Sequence, residues 1–284
     1  MDSIYSTFEQ QQRADEDRWS VVHVIKNQTN YRFFAVFDGH GGANEKNNHI
    51  VDYCVEHLPK RLFLKLTNTN DCILTIKQIE TCFIDFDREI FDLFKAGKLN
   101  YGTTCSAVLI DDTNNKIYQI NLGDSRSIVF TTAEGSIVSE TKDHTPKIAN
   151  EVKRIKSAKG FVAYNRVLGS IAVSRAFGDF RFKYFPVDSS NYDPINACLS
   201  AVPDISVVEK TVTPMTIMLT SDSPFSVSNV TNQSLVNDFV RISSIVKELH
   251  LKEDAAFLKQ VLHVLVSLFI KETNDDTTLI LVTV

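Results

Sequence analysis

An aspartate ends an apolar run near the start of the chain, where a metal ligand or a turn residue is expected. The run is residues 33–37, and it is followed by Asp38, Gly39, His40 and two more glycines. A carboxylate at the end of a buried strand can bind a cation, and glycines let the backbone turn so that a carbonyl faces the same ion. Because Asp-Gly after a strand is also typical of a hairpin turn, the motif indicates a metal site only if carboxylates end other strands too.

Acidic residues do flank apolar stretches elsewhere in the chain. The positions are Asp124 after residues 116–123, Asp222 after residues 215–221, the pair Asp275 and Asp276 before residues 279–282, and the acidic run 15–17 before residues 19–25. Oxygen ligands of this kind suit Mg²⁺ or Mn²⁺ better than zinc. The sequence therefore predicts a site for hard divalent cations where several strands begin or end.

The composition is that of a folded protein of ordinary polarity. The chain has 284 residues, 43% of them hydrophobic and 23% charged, and we interpret residues 1–284 as a single domain. A net charge of −5 gives no basic footprint for nucleic acid and argues against binding to a membrane surface. No apolar run approaches the ~18 residues of a spanning helix and no signal peptide is found, so we expect an intracellular protein, cytoplasmic or nuclear. The five cysteines form an odd number without a C-x-x-C pair, which predicts reduced, mostly buried thiols.

The spacing of apolar residues predicts groups of strands separated by pairs of helices. Strand-like runs occupy residues 19–38 and 102–138. Helical spacing of three and four residues is found in 43–64, 74–95, 148–158, 233–247 and 253–271. This order favours antiparallel sheets covered by helices over alternating strand–helix units. The polar, proline-containing stretch 184–200 is predicted to be a long surface loop, either a flap beside a substrate or a connection.

Several motifs follow one another along the chain. They are Glu16-Asp17, Asp-Gly-His-Gly-Gly at 38–42, Tyr-Gly-Thr-Thr-Cys at 101–105, Asn-Leu-Gly-Asp-Ser-Arg at 121–126, Asp-His-Thr-Pro at 143–146, the stretch 166–179, Ser221-Asp222 and Asp275-Asp276. In this order they resemble the metal-dependent protein serine/threonine phosphatases of type 2C, the PPM family, from about residue 13 to residue 284. The resemblance implies an α+β fold, a sandwich of two antiparallel β-sheets flanked by pairs of α-helices, in agreement with the order of elements.

The resemblance also implies a site with two divalent cations, Mg²⁺ or Mn²⁺. Two such ions about 3.5–4 Å apart share a bridging water, which becomes the attacking hydroxide, and bind the phosphate oxygens. Asp38 would bridge both ions. Asp222 and Asp275 would complete one metal site, whereas Glu16 and the carbonyl of Gly39 would complete the other.

Three further roles and an activity follow from the family. Arg13 is the nearest candidate to hold the substrate phosphate, because an arginine can bond two oxygens at once. His40 would protonate the leaving serine or threonine oxygen, a task that suits a near-neutral pKa. Asp124 would support a weaker third metal. The expected protein is a monomeric phosphatase that hydrolyses phosphoserine and phosphothreonine in phosphoprotein substrates.

Each assignment has a simpler competitor. Glu16 and Asp17 could be an exposed charged run before a strand, and Arg13 a plain surface arginine. Asp275 could be a turn residue, and Asp276 beside it leaves the register open by one position. We choose Asp275 because the family's Asp-Asn is then matched by this pair.

Other residues of the motifs are interpreted as structural. The pairs Asp143-His144 and Gly178-Asp179 have the residue types of turns. Cys105 is expected to be a small core residue and not a nucleophile, because no histidine or basic partner lies near it in the pattern.

One loop departs from the family pattern. Where the family has Asp-Gly-x-Trp/Phe-Asp, residues 222–226 read Asp-Ser-Pro-Phe-Ser. The second aspartate is replaced by Ser226, whose hydroxyl cannot supply the charge of a carboxylate, so we expect a weakened third-metal site. This loss motivates two alternatives: a pseudophosphatase that acts as a partner-binding regulatory scaffold, and a metal-dependent phosphohydrolase of a small molecule. Retention of the other predicted ligands and of His40 favours the active protein phosphatase.

Overall fold

The computed structural model defines a set of strands and helices that follow the predicted order. It describes residues 4–10, 16–26, 29–41, 49–67, 75–94, 101–184, 191–249, 254–273 and 275–284. The helices are α1 (His49–Thr67), α2 (Ile76–Phe94), α3 (Ala149–Ser157), α4 (Asn232–Leu249) and α5 (Ala255–Ser267). The strands are β1 (Tyr5–Gln10), β2 (Asp17–Lys26), β3 (Thr29–His40), β4 (Gly102–Thr103), β5 (Cys105–Asp111), β6 (Lys116–Leu122), β7 (Arg126–Thr131), β8 (Ile137–Glu140), β9 (Val162–Ala163), β10 (Arg166–Val167), β11 (Phe177–Gly178), β12 (Asp204–Glu209), β13 (Met215–Thr220) and β14 (Thr277–Thr283).

The strands form two large antiparallel sheets and one small hairpin. The first sheet has the order β1-β14-β13-β7-β8. The second has the order β11-β4-β3-β5-β6-β12, with β2 paired to β3 as well. The hairpin of β9 and β10 stands apart from both sheets. The predicted pair of antiparallel sheets is therefore confirmed.

Alternation along β3 shows why the sheets stack. Phe33, Ala35 and Phe37 pack in a cluster with α1 and α2 on one side of the second sheet. Phe34 and Val36 point the other way and pack against β7, β13 and β14 of the first sheet. Because successive side chains of a strand face opposite sides, a strand covered on both sides must be apolar throughout. Burial on both sides explains why this run contains no polar residue.

Helices cover the outer side of each sheet. In α2 the residues Ile79, Cys82, Phe83, Phe86 and Ile90 are buried, which is the apolar stripe of an amphipathic helix. The pair α4 and α5 covers the first sheet through a separate apolar cluster. The prediction of a sandwich flanked by helix pairs is confirmed, while the single-domain assignment of residues 1–284 stays a prediction.

The predicted helix limits agree closely with the structure. Helix α3 ends at the predicted place, where Lys159 adopts a left-handed backbone with φ of 61° before Gly160. Part of the prediction for 43–64 lies outside the described residues, since those between Gly41 and His49 are not among them. Among the described helices, none is long and apolar enough to cross a membrane.

The prediction of a surface loop over residues 184–200 is partly wrong. Residues 197–200 are buried, and Tyr192 stacks on Phe91 of α2 with ring centroids 3.9 Å apart. The Tyr192 hydroxyl also hydrogen bonds the buried carboxylate of Asp87, which pairs with Lys183. These contacts bury groups that a surface loop would leave hydrated. The described end of the stretch therefore belongs to the core. Residues 185–190 lie outside the described part.

The four described cysteines are free and buried, as predicted. They are Cys54, Cys82, Cys105 and Cys198, whereas Cys72 lies outside the described residues. Burial raises the pKa of the Cys105 thiol, which disfavours its thiolate and confirms that this residue is part of the core.

Candidate active site

Strand pairing brings the acidic residues before β2 against the Asp-Gly-His motif. In the antiparallel register of β2 and β3, Asp17 lies directly opposite Asp38. The backbone N–H of Gly39 donates to the carbonyl of Glu16 at 3.2 Å. The acidic run is thus a partner of the strand end and not an isolated charged surface.

The backbone of Asp38 is fixed by two threonines. Its N–H donates to Oγ1 of Thr104 at 3.1 Å. Its carbonyl accepts from the N–H of Thr104 at 2.9 Å and from Oγ1 of Thr103 at 3.1 Å. With both backbone groups bonded to protein, the carboxylate is the group of Asp38 that remains to bind a cation.

The ends of β13 and β14 bring further carboxylates to the same place. Oδ2 of Asp276 accepts from the N–H of Glu16 at 3.0 Å. Asp276 is buried, and its own N–H donates to Oδ1 of Asp275 at 3.0 Å, while Asp275 is exposed. Asp276 thus orders the backbone, which favours Asp275 as the metal ligand, although that register stays a prediction. Burial raises the pKa of Asp17, and the side chains of Ser221, which follows β13, and of Thr278 in β14 oppose this rise.

The pKa directions show that negative charge is concentrated here. Burial, then the charges of Asp17 and Asp222, hold the pKa of Asp38 well above its usual range. Burial raises the pKa of Glu16 to about 7, and nearby aspartates add to the shift. Burial is also the first cause that raises the pKa of Asp17 to about 8 and that of Asp124 to about 7. Crowded carboxylates of this kind are favoured in their charged form when a cation is bound between them.

The donor set fits the predicted metal. Carboxylates and a carbonyl are oxygen ligands of the type that Mg²⁺ and Mn²⁺ bind. Within the described residues, no three His, Cys, Asp or Glu side chains form a ready-made metal cage. Burial and, in addition, the charge of Asp275 raise the pKa of each of Glu16, Asp38 and Asp222, so Asp275 lies within electrostatic reach of all three.

His40 is held by Asp179. Its Nε2 lies 2.5 Å from Oδ2 of Asp179, whose side chain is 3% exposed. Burial lowers the pKa of His40, but the charge and hydrogen bond of Asp179 outweigh this and leave that pKa raised. Gly102 lies between them, where a Cβ would stand 2.0 Å from the Asp179 carboxylate. The pair therefore depends on a glycine at this position.

The interpretation of Gly178-Asp179 as turn residues missed this role. Asp179 does occupy a turn, with a left-handed φ of 51°, but its carboxylate reaches the candidate catalytic histidine. The Gly-Asp pair was the signal available in the sequence, and it identifies a turn without naming the partner of the aspartate. His144 is structural as predicted, because its buried Nδ1 accepts from the N–H of Gly123 at 3.2 Å.

Asp124 lies within electrostatic reach of the Asp-Gly-His motif, since its charge raises the pKa of both Asp38 and His40. It follows Gly123, and its raised pKa reflects burial first and then the charges of Asp222 and Asp143. Asp143 in turn forms a two-point ion pair with Arg126 at 2.7 and 2.8 Å. The structure therefore brings Asp124 and Asp222 within electrostatic reach, as a third-metal site requires.

The loop that departs from the family pattern is a short 3-10 turn over Ser223–Ser226. Ser226 is exposed, and its Oγ donates to the carbonyl of Ser223 at 2.7 Å. Phe225 lies under the guanidinium of Arg126, with the arginine carbon 3.7 Å from the ring centroid. The hydroxyl at 226 thus bonds the backbone of its own loop.

Arg13 lies outside the described residues, so its role as the phosphate-binding arginine stays a prediction. The other predicted site residues are described and border one region through the contacts given above. They are Glu16, Asp38, Gly39, His40, Asp124, Asp222 and Asp275. Three residues that sequence reasoning did not assign to the site also belong to it, namely Asp17, Asp179 and Asp276.

Comparison with known proteins gives one consistent family. Residues 7–257 match the family described as protein phosphatase 2C. Protein phosphatase 2C homolog 3 of Schizosaccharomyces pombe is 33% identical over 214 residues, which are 74% of this chain and 46% of that protein. Protein phosphatase 1L of Bos taurus is 33% identical over 176 residues, 59% of this chain and 47% of the relative. The chain spans about half the length of these curated relatives.

Solved structures show the same fold at lower identity. A phosphatase from a pathogenic strain of Toxoplasma gondii superposes with a TM-score of 0.80 at 22% identity, covering 99% of this chain and 92% of that one. A sex determining protein of C. elegans gives a TM-score of 0.72 at 19% identity, covering 100% of this chain and 65% of that one. At these identities the likeness establishes the fold alone.

Proposed function

Because this chain belongs to the protein phosphatase 2C family, we propose that it is a metal-dependent protein serine/threonine phosphatase acting on phosphoserine and phosphothreonine. The observation that carries the proposal is the meeting of the carboxylates of Glu16, Asp38 and Asp222 beside His40. Three separated parts of the sequence contribute to this group, and each is a motif of the family. A phosphoprotein substrate and a monomeric state remain part of the same proposal.

The carboxylates are proposed to hold two cations. Asp38 would hold both ions, Asp222 and Asp275 would complete one site, and Glu16 with the Gly39 carbonyl would complete the other. When bound, Mg²⁺ or Mn²⁺ ions supply an activated water and neutralise charge on the phosphate oxygens. The raised pKa of Asp38 supports this assignment, because a group that resists ionisation alone gains most from a bound cation.

His40 is proposed to carry the proton for the leaving oxygen. Asp179 bonds Nε2, which orients the ring and stabilises its protonated form. A serine or threonine alkoxide is a poor leaving group, so a proton donor in the transition state speeds its departure. Asp276 holds the residue before β2 in place by accepting from the backbone N–H of Glu16, and Asp17 pairs opposite Asp38.

A partner-binding scaffold without activity is the second candidate, and Ser226 is the observation in its favour. The serine leaves Asp124 and Asp222 without the additional carboxylate of the family pattern. Even so, the retained two-metal ligands support hydrolysis, with the third metal site weakened. A small-molecule phosphohydrolase would differ from a protein phosphatase only in the substrate that it prefers.

The test is hydrolysis of a phosphothreonine peptide by the purified chain with Mn²⁺, with Mg²⁺ and with EDTA. Activity that requires the metal and is lost in Asp38→Ala supports the phosphatase, and this variant also controls for a contaminating enzyme. Absence of activity over a millimolar range of Mn²⁺, in protein that circular dichroism shows to be folded, would support the scaffold. Sugar phosphates at the same concentration, if hydrolysed faster than the peptide, would support the small-molecule enzyme.

A further inference from the structure

One surface segment of this acidic protein is strongly basic. The structure describes every residue from 145 to 171, and the exposed charged side chains there are five cations without an anion: Lys147, Lys153, Lys156, Lys159 and Arg166. The one acidic residue of the segment, Glu151, is buried and pairs with Arg154 and Arg175. The net charge of the whole chain is −5, so the charge of this basic segment is opposite in sign to that of the chain as a whole.

Helix α3 lies within the basic segment and has one buried face and one exposed face. Its inner face buries Glu151 and Ile155. Its outer face lines a shallow depression of about 450 Å³, formed by Ala149, Val152, Lys153, Lys156 and Ser157. Lys153 and Lys156 stand three residues apart on that face, so both ammonium groups can reach the same bound segment. A short extended peptide with acidic side chains is complementary to such a surface.

The basic segment starts next to the candidate active site. The N–H of His144 donates to the carbonyl of Gly123 at 2.8 Å, and Gly123 directly precedes Asp124. Ala149, the first residue of α3, follows His144 by five positions, a reach of at most ~18 Å. The bond from Arg175 Nη2 to Glu151 at 2.7 Å holds α3 against the body of the protein. A peptide whose phosphate enters the site can therefore extend along α3.

Long-range electrostatic repulsion opposes the approach of a phosphorylated peptide to this protein. Both the substrate and the protein are negatively charged, so their approach is opposed unless positive charge lies near the site. A local basic surface lowers that repulsion and favours substrates with additional acidic residues. Phe161 and Tyr164, 55% and 94% exposed, add apolar contact area in the same segment.

We propose that the basic segment 145–171 binds acidic residues that flank the phosphorylated residue of a peptide substrate, with Lys153 and Lys156 at the centre of the contact. The inference rests on the proposed phosphatase function, since it names the substrate class of that site. The occupant is an acidic peptide, and an anionic membrane surface is the competing occupant that the experiment separates.

The first measurement is binding, which does not depend on activity. Two fluorescent phosphothreonine peptides, one with flanking Asp and Glu and one with Asn and Gln in their place, are titrated in EDTA with the wild type and with K153Q/K156Q. Fluorescence anisotropy is expected to show about three- to tenfold tighter binding of the acidic peptide to the wild type, with the difference lost in the variant. A matched control, K259Q/K271Q, removes two exposed lysines elsewhere and is expected to bind as the wild type does.

The second measurement is kinetic and uses Mn²⁺. The acidic peptide is expected to have the lower KM with the wild type, and K153Q/K156Q is expected to raise that KM while leaving kcat and the hydrolysis of p-nitrophenyl phosphate unchanged. If no substrate is hydrolysed, the proposed function fails, and the anisotropy result still decides whether the basic segment binds acidic peptide.

Two results would overturn the inference. One is equal affinity of the wild type for the acidic and neutral peptides at low salt, where charge pairs are strongest. The other is unchanged peptide binding by K153Q/K156Q together with loss of its sedimentation with phosphatidylserine vesicles, which would assign the segment to a membrane surface.

Discussion

Oδ2 of Asp179 lies 2.5 Å from Nε2 of His40, although 139 positions separate the two residues in sequence. The contact forms because β11 pairs with β4, and β4 pairs with the end of β3. Gly102 of β4 leaves the space that the carboxylate occupies. A carboxylate on one ring nitrogen fixes the orientation of the imidazole and stabilises its charged form.

Asp179→Asn is expected to slow hydrolysis of a phosphothreonine peptide by about 10- to 100-fold. The amide keeps the shape but loses the charge that holds the protonated ring. Hydrolysis of p-nitrophenyl phosphate should change less than about twofold, because its leaving group departs without a proton. Steady-state kinetics on both substrates measure the difference, with Asp238→Asn on α4 as a control. Equal losses on both substrates would mean that Asp179 acts only on folding.

Mn²⁺ is expected to raise the melting temperature of the wild type and to leave that of Asp38→Asn almost unchanged. A ligand at about 100 times its Kd stabilises by ~2.7 kcal/mol, a shift of roughly 5–10 °C for a domain of this size. In EDTA we expect Asp38→Asn to have a higher melting temperature than the wild type, because the variant removes one of several carboxylates that repel one another. Thermal unfolding with and without the metal at pH 7.5 measures both effects. A wild type more stable than the variant in EDTA would contradict this account of the charge.

The Glu151 ion pairs are expected to stabilise the fold above pH 4.5. Burial opposes ionisation of Glu151, but Arg175 and Arg154 lower its pKa to about 2, below the unfolded value of 4.5. Stability from a lowered pKa is present above the unfolded value and is lost as pH falls from about 4.5 to about 2. Glu151→Gln should therefore lower the free energy of unfolding by on the order of 2–3 kcal/mol at pH 7 and by less at pH 3. Urea unfolding at the two pH values gives both numbers, and a cost independent of pH would exclude the charge as its cause.

Ser226→Asp is expected to raise turnover at limiting Mn²⁺, since it restores the second carboxylate of the family pattern, four residues after Asp222. Ser226 is exposed and its hydroxyl bonds only the neighbouring turn among the described contacts, so the larger side chain has space. The assay is the Mn²⁺ dependence of phosphopeptide hydrolysis, with Ser228→Asp as a control of equal charge. Identical curves for Ser226→Asp and the wild type would show that the serine does not limit turnover.

Local patterns predicted most of the elements, because a stripe of apolar residues has the same meaning wherever it occurs. The helices α2 and α4 could be predicted from the spacing of apolar residues, and β3 from its continuous apolar run. The partner of Asp179 could not, because it depends on how three strands pair across the chain. The burial of residues 197–200 was missed for a similar reason, since Cys198 packs with Ile155 of α3 and Leu199 packs with Phe182.

The bond between the Glu16 amide and Asp276 joins positions 260 residues apart, and β1 pairs with β14 across a similar span. Contacts of such sequence separation form late and slow the folding of a chain, because a long loop must close before any of them is gained. A nascent chain on the ribosome therefore holds Glu16 without its Asp276 partner until residue 276 has emerged. The acidic cluster is complete only after β14 has been synthesised and has paired with β1 and β13.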